Sequence, residues 1–212
     1  MLQLDRVTLA QGGFRLTADW QAQPGARIAV IGPSGGGKST LLLAIAGFLA
    51  PVAGRILWVG QDLTPQPPGQ RPVSVMFQDQ NLFPHLTVAQ NVALALTTRR
   101  HPSADQQARV AEALDRVGLA GLGDRRPAQL SGGQQGRAAL ARVLLRARPI
   151  LLLDEPFAAL GPALRAEMAD LVTEVAAETG ALTLIVTHDP DEARRLAPLT
   201  VLVAQGLAHP PA

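Results

Sequence analysis

The stretch Gly32-Pro-Ser-Gly-Gly-Gly-Lys-Ser-Thr40 decides how the rest of this 212-residue chain is read. It fits G-x-x-x-x-G-K-[ST] in the context that pattern requires. The nearly all-apolar run Arg27-Ile-Ala-Val-Ile-Gly32 that leads into it reads as a buried strand, and a helix is expected from Lys38 to about Ala46. Glycines let successive backbone N–H groups curl around phosphate oxygens, and the helix N-terminus adds partial positive charge. Gly32, Pro33, Ser34, Gly35, Gly36, Gly37, Lys38, Ser39 and Thr40 are therefore the candidate nucleoside-triphosphate-binding set. Lys38 is placed to neutralise the β- and γ-phosphates and Ser39 to ligate Mg²⁺. Lys38 is also the single lysine among 19 basic residues.

Outward from the loop, strand and helix signals alternate. Residues 2–9 read as a strand followed by a Gly12-Gly13 turn, and Val73–Phe77, Ile150–Leu153, Leu182–Thr187 and Leu199–Val203 as further strands. Ala163–Thr179 has helical periodicity, with Pro162 in its first turn, and Leu86 to Arg148 is helical without strand signals. Thr64–Pro72 is too rich in proline for regular structure. The implied fold class is α/β: a core with a mostly parallel sheet, an N-terminal antiparallel β region and an inserted α-helical subdomain. As domains, 1–212 form one unit, with a nucleotide-binding core at 1–84 and 149–212 and the helical subdomain at about 85–148.

Composition narrows the function classes. A hydrophobic fraction of 47% against 17% charged residues supports a packed core. The net charge of +2, with five Phe, two Trp and no Tyr, gives no support for a nucleic-acid partner. Absence of Cys excludes disulfides, thiolate metal sites and cysteine nucleophiles. The N-terminus lacks a signal-peptide pattern, and arginines at 142, 146 and 148 interrupt the longest apolar run, so no membrane span is expected.

Two further segments carry chemistry. Asp154-Glu155 closes an apolar strand: Asp154 is positioned to hold Mg²⁺ and Glu155 to act as general base on an attacking water. Leu130-Ser-Gly-Gly-Gln134 places an N-cap serine and two glycines at the start of a helix, an anion-binding terminus. With Phe77-Gln78 and Thr187-His188, these segments give the chain five motifs in order, and from about residue 2 to 207 it resembles the ABC-transporter ATPases, which have a P-loop NTPase (RecA-like) core. The matching pieces are Walker A (Gly32–Thr40), Q-loop (Phe77-Gln78), signature (Leu130–Gln134), Walker B (Ile150–Glu155) and H-loop (Thr187-His188).

The resemblance implies ATP and Mg²⁺ as ligands, with Ser39, Gln78 and Asp154 at the metal. It implies a head-to-tail homodimer in which Ser131, Gly132, Gly133 and Gln134 reach the γ-phosphate held by the other copy. It makes Glu155, His188, Lys38 and Gln78 the catalytic set, and the surface near Asn81–Leu96 the seat of a transporter's coupling helix. Three positions depart from the pattern. Gln11 stands where an adenine-stacking aromatic is usual, leaving either Phe14 or weak stacking; Gly161 replaces an aspartate; and Gln135-Gly-Arg137 puts a glycine in a helix's first turns, at about 1 kcal/mol.

Within the family, the chain is most similar to the ATPase subunit of bacterial thiamine importers, at 43–51, 68–78, 81–91 and 156–165. Maltose-type importers, which usually carry an extra β-rich regulatory domain after the H-loop, are the less expected subgroup. The implied partners are transmembrane permease subunits and a periplasmic solute-binding protein, at the cytoplasmic face of the bacterial inner membrane. Import of iron(III), a polyamine or molybdate, a soluble non-transport ABC ATPase, and a P-loop kinase are the alternatives.

Overall fold

The computed structural model describes residues 1–79, 81–99 and 101–212. Two compact units share the chain: Met1–Val75 with Arg148–Glu155 and Ala176–Ala212, and Met76–Ala147 with Pro156–Val175.

The first unit is organised by a ten-stranded sheet. Its strands are β1 (Leu2–Gln11), β2 (Phe14–Ala22), β3 (Arg27–Ile31), β4 (Ala53–Trp58), β5 (Gln61–Asp62), β6 (Val73–Met76), β7 (Ile150–Asp154), β8 (Leu182–Val186), β9 (Leu199–Ala204) and β10 (Leu207–Ala208), in the order β5-β4-β1-β2-β10-β9-β3-β8-β7-β6. The N-terminal hairpin and β4 pair antiparallel, whereas β9, β3, β8 and β7 are mutually parallel. The burial patterns follow from that division. β7 and β8 are buried at every position, as strands covered on both faces must be, while β1 alternates because one face is wet. Leu2, Leu16, Ile28, Val30, Ile45, Leu152 and Leu184 belong to its apolar core. Helices α1 (Lys38–Ala46) and α6 (Pro190–Leu196) belong to this unit.

Register then decides where the chemistry sits. Val30 of β3 lies opposite Val186 of β8, and Val186 lies opposite Asp154 of β7. The residues leaving these three strands, Gly32, Glu155 and Thr187-His188, thus emerge side by side at the C-terminal edge of the parallel sheet. That edge is where open α/β sheets bind ligands.

The second unit holds α2 (Val88–Ala93), α3 (Ala104–Arg116), α4 (Gly132–Leu145) and most of α5 (Pro162–Thr179). Each of the first three starts with a reciprocal cap: Thr87 with Gln90, Ser103 with Gln106, Ser131 with Gln134. Arg116 and Glu174 pair at 3.1 Å within it.

Sequence expectations and structure agree on α1 residue for residue and on β7, β8 and β9 to within one residue. The strand expected at 73–77 stops at Met76. β2, β4, β5, β10 and α6 lie outside the strands and helices expected from the sequence. β4 begins with three exposed residues including Gly54, β10 has two residues, and α6 is one polar-rich segment of seven.

Candidate functional site

The phosphate loop begins with a backbone only glycine accommodates. Gly32 has φ 150°, and a Cβ there would stand 2.1 Å from the Val203 carbonyl oxygen. Gly37, at φ 104°, caps α1, and a Cβ on it would meet the Phe14 ring at 2.5 Å. The half-buried Phe14 therefore lies against the loop and packs on the core. Between these glycines the chain curls back: the Gly36 N–H donates to the Pro33 carbonyl, and the Lys38 ammonium donates to Gly32 O at 3.0 Å and Pro33 O at 2.9 Å. Lys38 is 8% exposed. Its ammonium thus lies inside the loop with a third N–H left for a phosphate oxygen.

Ser39, in the first turn of α1, lies near enough to the Asp154 carboxylate to favour its ionised form. Burial pushes the Asp154 carboxyl above its ordinary value of 3.8, and the neighbouring Glu155 adds to the rise; Ser39 and Lys38 oppose it. A hydroxyl and a desolvated carboxylate near each other supply hard oxygen donors, which fit Mg²⁺.

Glu155 follows in a left-handed conformation at φ 46°, with its N–H still on the Val186 carbonyl at 3.1 Å. A glutamate rarely adopts this backbone, and here the ladder bond holds it while the side chain leaves the strand direction. Its Oε2 is 3.5 Å from Nδ1 of His188, whose side chain is 68% exposed against 23% for Glu155. Thr187, Asp189 and Glu192 surround the His188 backbone. The Thr187 hydroxyl donates to Glu192 Oε2 at 2.7 Å, and Asp189 caps α6.

In the first unit, then, the structure brings together Gly32–Thr40, Asp154, Glu155 and His188. Gln78 and Ser131–Gln134 lie in the second. Gln78 is exposed in a turn directly after β6. Ser131 Oγ accepts from the Gln134 N–H at 3.3 Å, and Gln134 Oε1 accepts from the Ser131 N–H at 3.0 Å, so the polar groups of this segment satisfy one another at the start of α4. A Cβ at Gly133 would come within 3.3 Å of the Ala159 carbonyl, so the loop carrying Gly161 crosses that glycine closely. The Gly136 departure is buried in α4, flanked by Gln135 on the Pro127 carbonyl and Arg137 on those of Val117 and Gly118. The same unit contains a cavity of about 600 Å³ lined by residues that include Ala89, Ala93, Val110, Ala111 and Leu114.

Two buried or half-buried groups of the first unit have no role in the sequence expectations. Arg71 is 2% exposed and donates to the carbonyls of Ala44 and Ile45 at the end of α1. Glu192 braces Thr187. Asp189-Pro-Asp-Glu192, an N-cap before a proline-led turn, was the available signal for the second; Arg71 sits in a proline-rich segment with no signal at all.

Comparison with known proteins places this geometry. A family model described as ABC transporter matches residues 17–158. Over 211 residues the chain is 68% identical to the thiamine import ATP-binding protein ThiQ of Cereibacter sphaeroides, covering 100% of this chain and 91% of that protein. It is 57% identical to the ThiQ of a Ruegeria species (100% and 92% covered) and 51% to that of Yersinia pseudotuberculosis (97% and 87%). Among solved structures, a dimeric ATP-binding cassette in a post-hydrolysis state with ADP and Pi superposes with a TM-score of 0.89 at 28% identity, covering 100% of this chain and 98% of that one. A family model covering more than half the residues and relatives alike over the full length leave one conclusion: this chain belongs to the ABC transporter family.

Proposed function

We propose that this chain is the ATP-hydrolysing subunit of a thiamine importer. The observation that carries the reading is 68% identity, over the whole chain, to a protein named as a thiamine import ATP-binding protein. The phosphate loop around Lys38 and the Glu155–His188 contact supply the means of hydrolysis.

In this reading two copies face each other head to tail. The loop N–H groups and Lys38 bind the β- and γ-phosphates of one ATP, while Ser131, Gly132, Gly133 and Gln134 of the other copy close over its γ-phosphate. Ser39, Asp154 and Gln78 hold Mg²⁺, which when bound neutralises charge on the phosphate oxygens. Glu155 takes a proton from the attacking water, and His188 donates a hydrogen bond toward the γ-phosphate and steadies the water with Glu155. Closure of the two copies on ATP and reopening after hydrolysis is the motion passed to the membrane partner.

That partner is a permease, fed by a periplasmic solute-binding protein. The segment Asn81–Leu96, which includes α2, receives its coupling helix, and the cavity between α2 and α3 gives an apolar seat beside it. No described helix is long and apolar enough to cross a membrane. A peripheral position on the cytoplasmic face follows from the partnership, not from the helices.

Reconstitution with the permease tests the whole reading. ATP hydrolysis should rise when thiamine and binding protein are supplied together. Stimulation by iron(III), a polyamine or molybdate instead would replace the solute and keep the transport reading. Failure to associate with any permease would refute it.

A further inference from the structure

His188 is 68% exposed, so little packing fixes its imidazole, and its position depends on its backbone. That backbone is braced from both sides. The Thr187 N–H is held by the Val30 carbonyl at 3.3 Å, next to the start of the phosphate loop. The Thr187 hydroxyl accepts from the Asp189 N–H at 3.1 Å and donates to Glu192 Oε2 at 2.7 Å. Both residues flanking His188 therefore converge on one oxygen, and the proton of that oxygen is committed to a carboxylate. At 2.7 Å the contact has the length of a charge-assisted bond, and Thr187 is 2% exposed, so water cannot readily replace it.

Glu192 is not needed to cap α6. Asp189 does that, accepting from the N–H groups of Asp191 and Glu192 at 2.9 and 3.3 Å. The carboxylate of Glu192 instead reaches back across the turn to the residue before His188.

We propose that Glu192 is a positioning residue for ATP hydrolysis: through the Thr187 hydroxyl it fixes the turn that keeps His188 beside Glu155. The proposal rests on the reading that His188 and Glu155 act at the γ-phosphate. Without the carboxylate, the Thr187 hydroxyl can rotate and release the Asp189 N–H, and the turn gains freedom at the point where His188 departs. Displacement of about 1 Å at a reacting centre costs on the order of 100-fold in rate, whereas ATP binding through the phosphate loop does not pass through this turn.

The test is steady-state ATPase kinetics of the permease complex carrying wild-type chain, E192A, E192Q, T187V, H188A or E192A/H188A, with melting temperature and ATP affinity recorded for each. E192A should lower kcat by about 10- to 100-fold while KM for ATP stays within about twofold. E192Q keeps an oxygen that accepts the threonine hydroxyl and should recover most of the lost rate. T187V removes the hydroxyl without changing side-chain shape and should reproduce the E192A defect; it decides the matter alone if E192A does not fold. The double variant should be no slower than H188A, since both act through one group. A kcat for E192A or T187V within about twofold of wild type, a loss confined to KM, or an E192Q as slow as E192A would overturn the proposal. Near-wild-type turnover in H188A would instead overturn the reading beneath it.

Discussion

Replacing Arg71 with methionine separates the support of the phosphate-loop helix from its chemistry. The guanidinium donates through Nε to Gln66 O (2.9 Å), through one terminal nitrogen to Ala44 O (2.8 Å) and Ile45 O (2.9 Å), and through the other to Thr64 O (3.2 Å). Ala44 and Ile45 are in the last turn of α1, where helix carbonyls lack intrahelical partners and the dipole is negative. Methionine keeps the apolar stem and loses every donor. Ala44 O retains the Gly47 N–H at 3.1 Å, but Ile45, Gln66 and Thr64 each lose the cation. At about 1–3 kcal/mol for an acceptor left without its partner, and less than the full figure for the part-buried Gln66 and Thr64 carbonyls, the gross loss is roughly 3–7 kcal/mol.

An opposing effect is the release of a buried cation. Burial already makes the Arg71 charge unfavourable, as its lowered pKa records, although Asp62 partly offsets this. The net loss is therefore expected near the lower half of that range, about 3–5 kcal/mol, which corresponds to a melting temperature lower by roughly 6–20 °C in a chain of this size. Far-UV circular dichroism during thermal and urea unfolding, without nucleotide, measures it. R71K should fall between, because one ammonium offers three N–H groups from a single point and cannot reach carbonyls on opposite sides. A methionine variant within about 1 kcal/mol of wild type would refute the assignment of Arg71 as the clamp on α1.

Three further outcomes are expected. K38A should lose ATP affinity by at least about 10-fold in titration calorimetry, and K38R should not restore it, because a planar guanidinium does not fit the pocket between the Gly32 and Pro33 carbonyls. E155Q should bind ATP, stop hydrolysing it and elute as an ATP-dependent dimer in size-exclusion chromatography; unimpaired turnover would contradict the base assignment. D154N should melt higher than wild type without nucleotide at neutral pH. Burial raises the Asp154 pKa, so the native state favours the protonated acid, and the stability that this provides is lost as pH rises through the raised value. The advantage of asparagine should accordingly narrow as pH falls toward 3.8, and Mg²⁺-ATP should reverse the order by stabilising wild type alone.

What was legible in the chain is what lies close together in it. The phosphate loop carries its geometry in its spacing, since Gly32 and Gly37 are required by their own φ values and by the atoms a Cβ would strike. The capping pair Ser131/Gln134 likewise sits within one helical turn. Illegible features depend on distant partners. β10 is two residues long and exists because Leu207 meets Thr17 on one side and Ala204 on the other. Arg71 reads as one more polar residue in a proline-rich loop, and only the helix end 26 and 27 residues earlier makes it a buried clamp. Glu192 reads as an acid in a polar helix, because nothing local announces that its partner is the residue before His188.

The two buried cations among the described residues, Lys38 and Arg71, show why lysine and arginine are not interchangeable in this chain. Arg71 has five N–H groups in a fixed plane and uses four of them on carbonyls that never leave. A rigid fork suits that task, since its geometry is satisfied once, on folding. Lys38 has three N–H groups and spends two on its own loop, at 3.0 and 2.9 Å. The third must meet a phosphate that arrives and departs with every turnover. A compact ammonium can rotate to do so without disturbing the other two bonds, whereas a guanidinium held by the same carbonyls would have to move as a plane. Exchange of the two residue types should therefore fail in both directions and for opposite reasons: arginine at 38 overfills a site built to accept a ligand, and lysine at 71 underfills one that needs none.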